Sequence, residues 1–144
     1  MGVMYSVFPL QPELCAWLDE EGLAYPKEPS RNPRLSEIKA VIAANPRWQA
    51  ELSDEQIGKR WSALLTMAEE AGRKPWCMLQ IMELRPAENE FYFEKGDPVM
   101  ILKFLCDLCV TTGPLVLISD AGDVPLVVQA GDNARALFDG WGNE

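Results

Sequence analysis

Cys106-Asp107-Leu108-Cys109 is the one spacing in this 144-residue chain that serves thiol redox chemistry or zinc binding. A redox pair needs an exposed thiolate, which a helix N-terminus stabilises. These cysteines fall late in an apolar helical pattern, where the C-terminal dipole opposes a thiolate. A structural zinc needs four ligands, and a chain without histidine could complete the set only with Cys15 and Cys77, which lack knuckle spacing. The expectation is packed thiols, no metal and no cofactor. The missing histidine also removes Ser-His-Asp and Cys-His triads. No GxGxxG, GxxxxGK[ST] or GxSxG run occurs, so nucleotide cradles and nucleophile elbows lack the residues that build them.

Carboxylates are the other chemically capable groups. Asp19-Glu20-Glu21, Glu69-Glu70 and the run from Glu88 through Glu90 to Glu94 are the dense clusters, and paired carboxylates serve glycoside hydrolysis or hard-metal binding. Spacing singles out no pair, since consecutive acids on a helix point in different directions. The first cluster sits near a predicted helix C-terminus, where the dipole disfavours it. Acids kept at such a place fit a surface that meets a basic partner. Asp120-Ala121-Gly122-Asp123 lacks the further oxygen ligands of a calcium loop and reads as a hairpin turn. Of five tryptophans, Trp17 and Trp61 fall on apolar stripes and are expected in the core. Trp48, Trp76 and Trp141 lie outside such stripes; Trp48 and Trp76 are the candidate partner anchors.

The elements that must position these groups follow from periodicity and punctuation. Tyr5 to Phe8 reads as a strand stopped by Pro9, and Pro12 opens a helix carrying Leu14, Trp17 and Leu18 that Gly22 closes. Residues 23–33 form a proline-rich connection, and Asn32-Pro33 begins a second helix with Leu35, Ile38, Val41 and Ile42 on one stripe. Ser53-Asp54-Glu55-Gln56 has the form of a capping box, and Ile57, Trp61, Leu64, Leu65 and Ala68 repeat at three and four, which predicts a third helix ending at Gly72. Trp76 to Leu84 and Glu90 to Glu94 read as two strands of a hairpin. Asp97-Pro98 opens an apolar helix ended by Gly113-Pro114; a second hairpin joins Leu115–Ile118 to Pro125–Val128, and a short helix follows Asn133. The order βααα-ββ-α-ββ-α, with strands grouped in hairpins, predicts an α+β fold. It has a mostly antiparallel sheet of about five strands, with helices packed on one face of a single domain over residues 1–144.

Lys plus Arg number 13 against 22 Asp plus Glu, a formal net charge of −9. The acidity is spread, with 7 basic and 11 acidic residues up to Gly72 and 6 and 11 after it. A phosphate backbone repels such a surface, so nucleic acid is not an expected partner; a basic protein is attracted by it. No apolar run approaches the ~20 residues that span a bilayer, and no apolar leader precedes Glu13, so neither membrane insertion nor export is expected.

Glu94-Lys95-Gly96-Asp97-Pro98, the apolar helix after it and Gly113-Pro114-Leu115-Val116-Leu117-Ile118-Ser119-Asp120 resemble small acidic bacterial immunity-type proteins encoded beside secreted toxins, as does Val7-Phe8-Pro9-Leu10 running into the first helix. The resemblance implies a non-enzymatic, cytoplasmic protein that binds one cognate toxin and presents acidic and aromatic residues to a basic active-site cleft. The residues named above as candidates for that role are Asp19, Glu20, Glu21, Glu88, Glu90, Glu94, Trp48 and Trp76. A small enzyme using carboxylate or thiol chemistry, or an assembly scaffold, are the alternatives; the first predicts a concave site with a strongly shifted pKa.

Overall fold

Alternation of side chains sets the architecture. The computed structural model describes residues 3–68 and 72–141. Strand β1 (Tyr5–Pro9) buries every second residue, as do β3 (Trp61–Met67) through Trp61, Ala63 and Leu65, β4 (Trp76–Ile81) through Cys77, Leu79 and Ile81, and β5 (Phe91–Gly96) through Phe91 and Phe93. With β2 (Trp48–Leu52), β6 (Leu115–Ser119) and β7 (Leu126–Val128) they form one antiparallel sheet in the order β2-β3-β4-β5-β1-β6-β7.

Helix α1 (Pro12–Glu20) follows β1, α2 (Leu35–Ala43) precedes β2, α3 (Pro98–Thr112) joins β5 to β6, and α4 (Ala134–Gly140) ends the chain's regular structure. α3 is the centre of the helical layer: Met100, Ile101, Leu102, Phe104, Leu105 and Leu108 are buried, and it packs against both α2 and α4. Phe104 meets Phe93 of the sheet edge to face at 5.7 Å and stacks on Trp48 at 6.1 Å.

The fold is α+β, as its sequence predicts, with two corrections to the detail. The sheet has seven strands rather than about five, because the helix expected from Ser53 to Gly72 is instead an exposed loop and the strand β3, paired with the unforeseen β2. Trp61, Ala63, Leu65 and Met67 satisfy a period of two as well as their neighbours satisfy three and four, and pairing with β2 and β4 decides between them. The Ser53 hydroxyl, expected to cap a helix, instead accepts from the Ser62 amide at 2.8 Å, while the Ser53 amide donates to the Ser62 carbonyl at 3.0 Å. The second correction concerns the helical layer. α2, α3 and α4 bury residues in or against the main core, whereas Leu18, the buried residue of α1, lies outside that cluster. Val116, turned away from Leu115 and Leu117, is likewise fully buried and outside it. Trp17 is correspondingly 37% exposed rather than in the core, and Trp61 is a core residue of a strand rather than of a helix.

The motif residues that carry the resemblance have fold-making roles. Gly96 has φ +148°, and a Cβ there would lie 2.4 Å from the Cys77 Cβ. Asp97 caps α3 by accepting from the Met100 amide at 3.0 Å, Pro98 occupies the first turn, and a Cβ on Gly113 would meet the Pro29 carbonyl oxygen at 2.2 Å.

Candidate functional site

The sheet face opposite the helical layer is built by the other half of the alternation. Leu64 and Thr66 of β3, Trp76, Met78 and Gln80 of β4, Tyr92 and Glu94 of β5, and Ser6 and Phe8 of β1 share it, as the register Leu64↔Met78, Thr66↔Trp76, Gln80↔Tyr92 and Ser6↔Tyr92 requires. A register shift between Met78 and Leu79 puts a bulge in β5, and both Glu94 and Lys95 are exposed there.

Gln80 is the polar centre of this face. It is only 5% exposed, and its amide nitrogen donates to Glu94 Oε2 at 2.9 Å and to Met78 Sδ at 3.2 Å. Its carbonyl oxygen faces Arg60 Nη1 at 3.5 Å; Arg60 also approaches the Tyr92 hydroxyl at 3.4 Å and Met82 Sδ at 3.2 Å. The primary amide thus links a cation and a carboxylate and holds Glu94 in one place.

Beside this network lies a recess of about 740 Å³ that includes Phe8, Asn32, Met82, Glu88, Glu90 and Tyr92 in its lining. Glu88 Oε1 accepts from the Asn32 amide at 3.1 Å, which ties the proline-rich connection to the 85–89 loop. The Asn32 side-chain oxygen is buried with no hydrogen-bond partner, and the recess beside it also holds Glu83 and Arg85, so that three carboxylates face one cation.

The structure therefore brings Glu88 and Glu90 together at one recess, with Glu94 four residues beyond Glu90 on the same chain segment. Trp76, 41% exposed, stands at the far end of β4. Asp19, Glu20 and Glu21 are exposed around the end of α1, Asp19 accepting from the Tyr25 hydroxyl at 3.2 Å, and none of the three lines the recess. Trp48, expected as an exposed anchor, is only 7% exposed, because as the first residue of β2 it packs its ring on Phe104. Glu69-Glu70 lies outside the described residues. Trp141 folds back, donating to the Val124 carbonyl at 2.6 Å with its ring 6.1 Å from Tyr5.

Burial keeps three of the four thiols, Cys77, Cys106 and Cys109, in their protonated form at neutral pH. Burial pushes Cys106 up to about 11 and both Cys77 and Cys109 up to about 12, with nearby carboxylates adding to the rise, and the Cys109 thiol donates to the Val128 carbonyl at 3.4 Å. Among the described residues, no three Cys, Asp or Glu side chains converge as metal ligands, and no helix is long and apolar enough to cross a membrane.

Arg60, Gln80, Tyr92, Met82, Phe8 and Asn32 are the site residues that sequence reading missed. The available signal was parity: Gln80 interrupts an apolar run at the position where a strand turns outward, and Tyr92 sits between Phe91 and Phe93. The chain matches no protein-family model, no curated protein and no solved structure.

Proposed function

We propose that the chain is a non-enzymatic binding protein of the immunity type, which neutralises a basic toxin domain in the cytoplasm by seating the acidic open face of its sheet over the toxin's active-site cleft. One observation carries the reading: Glu83, Glu88 and Glu90 share a recess of about 740 Å³ in which Arg85 is the one cation among the described lining residues. A lysine or arginine entering from a partner would meet the carboxylates of Glu88 and Glu90.

The surroundings fit a protein partner. Met4, Phe8, Trp76 and Met82, between 41% and 60% exposed, stand on or beside the same face. Apolar and methionine-rich surface next to fixed charge is what a partner-binding patch needs. A standard interface takes about 800 Å² from each partner, roughly a tenth of the 8126 Å² surface of this chain. Asp19, Glu20 and Glu21 lie outside the recess and act by long-range steering. Thiol chemistry draws no support, because burial holds Cys77, Cys106 and Cys109 protonated.

Association kinetics with the basic partner test the reading. Glu88→Lys, Glu90→Lys and Glu94→Lys together are expected to slow association at least about tenfold at low salt and to flatten its salt dependence. An unchanged rate at both salt concentrations removes the electrostatic role.

A further inference from the structure

β4, β5 and β1 each run between two ends of different sign. Met82 just past β4, Tyr92 and Phe8 line the acidic recess, whereas Trp76, Lys95 and Tyr5 line a second one at the other end. Along a six-residue strand such as β5 the two ends are separated by roughly 17 Å.

At that second end two recesses adjoin, about 530 and 720 Å³ in volume, and share Arg73, Pro75 and Asp97. Among the described residues their walls hold Arg47, Arg73, Lys74, Lys95, Lys103 and Arg135, six of the chain's thirteen cations, against two carboxylates, Asp97 and Asp132. Lys103 also pairs with Asp107 at 3.0 Å, so among the described residues cations exceed carboxylates here in a protein of net charge −9. Both carboxylates are committed to the fold. Asp97 pairs with Arg73 at 2.6 Å and caps α3, and Asp132 accepts from the Gln129 amide at 2.8 Å. Among the described residues Lys74, Lys95 and Arg135 have no carboxylate partner.

We infer that this cationic groove is a binding site for a small phosphorylated molecule of nucleotide size. Arginine forks match phosphate oxygens in pairs, and a groove with protein walls focuses the field of its cations. The 720 Å³ recess is of the size that small-molecule sites have, about 300–1,000 Å³. Trp76, 41% exposed in the wall of the smaller recess beside Arg73, Lys74 and Lys95, offers an indole face on which a flat ring can stack. Charge decides against a polynucleotide. The chain as a whole carries −9, so a strand reaching more than a Debye length of about 8–10 Å beyond the groove meets repulsion, whereas a mononucleotide's phosphates stay within it.

The test is titration of the full chain at low salt, followed by heat and by tryptophan emission, with a nucleoside diphosphate, the parent nucleoside, inorganic phosphate and a single-stranded oligonucleotide as separate probes. The diphosphate is expected to bind saturably at one per chain with a change in emission, and the nucleoside and phosphate at least about tenfold more weakly. Lys95→Glu with Arg135→Glu, both exposed and outside the ion pairs of the fold, is expected to weaken it at least about tenfold, while Glu28→Gln, exposed and outside both recesses, leaves it unchanged. Absence of saturable diphosphate binding at ~1 mM, or equal binding by the folded double variant, overturns the site. An oligonucleotide that binds more tightly than the diphosphate overturns its assignment to a small ligand.

Discussion

At the scale of single residues, Gln80 decides what the open face can present. Its amide joins Arg60 to Glu94, so Gln80→Leu releases both charges. The variant is expected to lose about 1–2 kcal/mol in urea unfolding, in line with hydrogen bonds to charged groups, and to bind the partner more weakly. A variant as stable as the parent would show that the network does not order the face. Glu37 gives a prediction in pH. Its bidentate pairing with Arg31, at 2.8 and 2.6 Å, pulls its pKa from the usual 4.5 to about 2. The folded value lies below the unfolded one, so the pair's contribution is complete above about 4.5 and is lost as pH falls toward about 2. Glu37→Gln is expected to remove that part of the acid dependence in denaturant titrations between those pH values. The acids of the site were legible in the sequence because a dense run such as Glu88 to Glu94 is visible by eye. Gln80 and Arg60 were not, because what unites them is pairing across strands twenty residues apart.

At the scale of elements, the loop and strand between Ser53 and Met67 show why local signals mislead. A capping box and a three-and-four repeat both point to a helix, yet the Ser53 hydroxyl closes the β2–β3 hairpin on the Ser62 amide, and Gly58, at φ +85°, donates to the Leu84 carbonyl at 2.8 Å. Sheet pairing on both sides of β3 outweighs propensity. Ser53→Ala is expected to cost about 1 kcal/mol in thermal or urea unfolding with no loss of helical circular dichroism; a fall in helical signal would contradict the hairpin. Where local chemistry and tertiary demand agree, the elements were readable: Asp97-Pro98 starts α3 and Gly113 ends it. Gly96→Ala places a Cβ against Cys77, and a loss of about 1–3 kcal/mol or more is expected in the same unfolding assay. Little or no loss would mean that the approach of β5 to β4 is not tight.

At the scale of the whole molecule, one sheet carries two opposite poles, an acidic recess beside the 85–89 loop and a cationic groove where β5 enters α3. Net charge and its even spread along the sequence were legible, but the poles were not, since Glu88 and Asn32 meet across 56 positions and Lys74, Lys95 and Arg135 come together only through the fold. The most direct measurement is capture from the native lysate on the tagged chain, beside the same chain carrying Glu88→Lys, Glu90→Lys and Glu94→Lys, washed at low and at high salt, with bound chains identified by mass. One stoichiometric basic protein is expected on the wild-type chain, held better at low salt and lost from the variant. The same chains retained by both, or no stoichiometric basic protein on either, would contradict it.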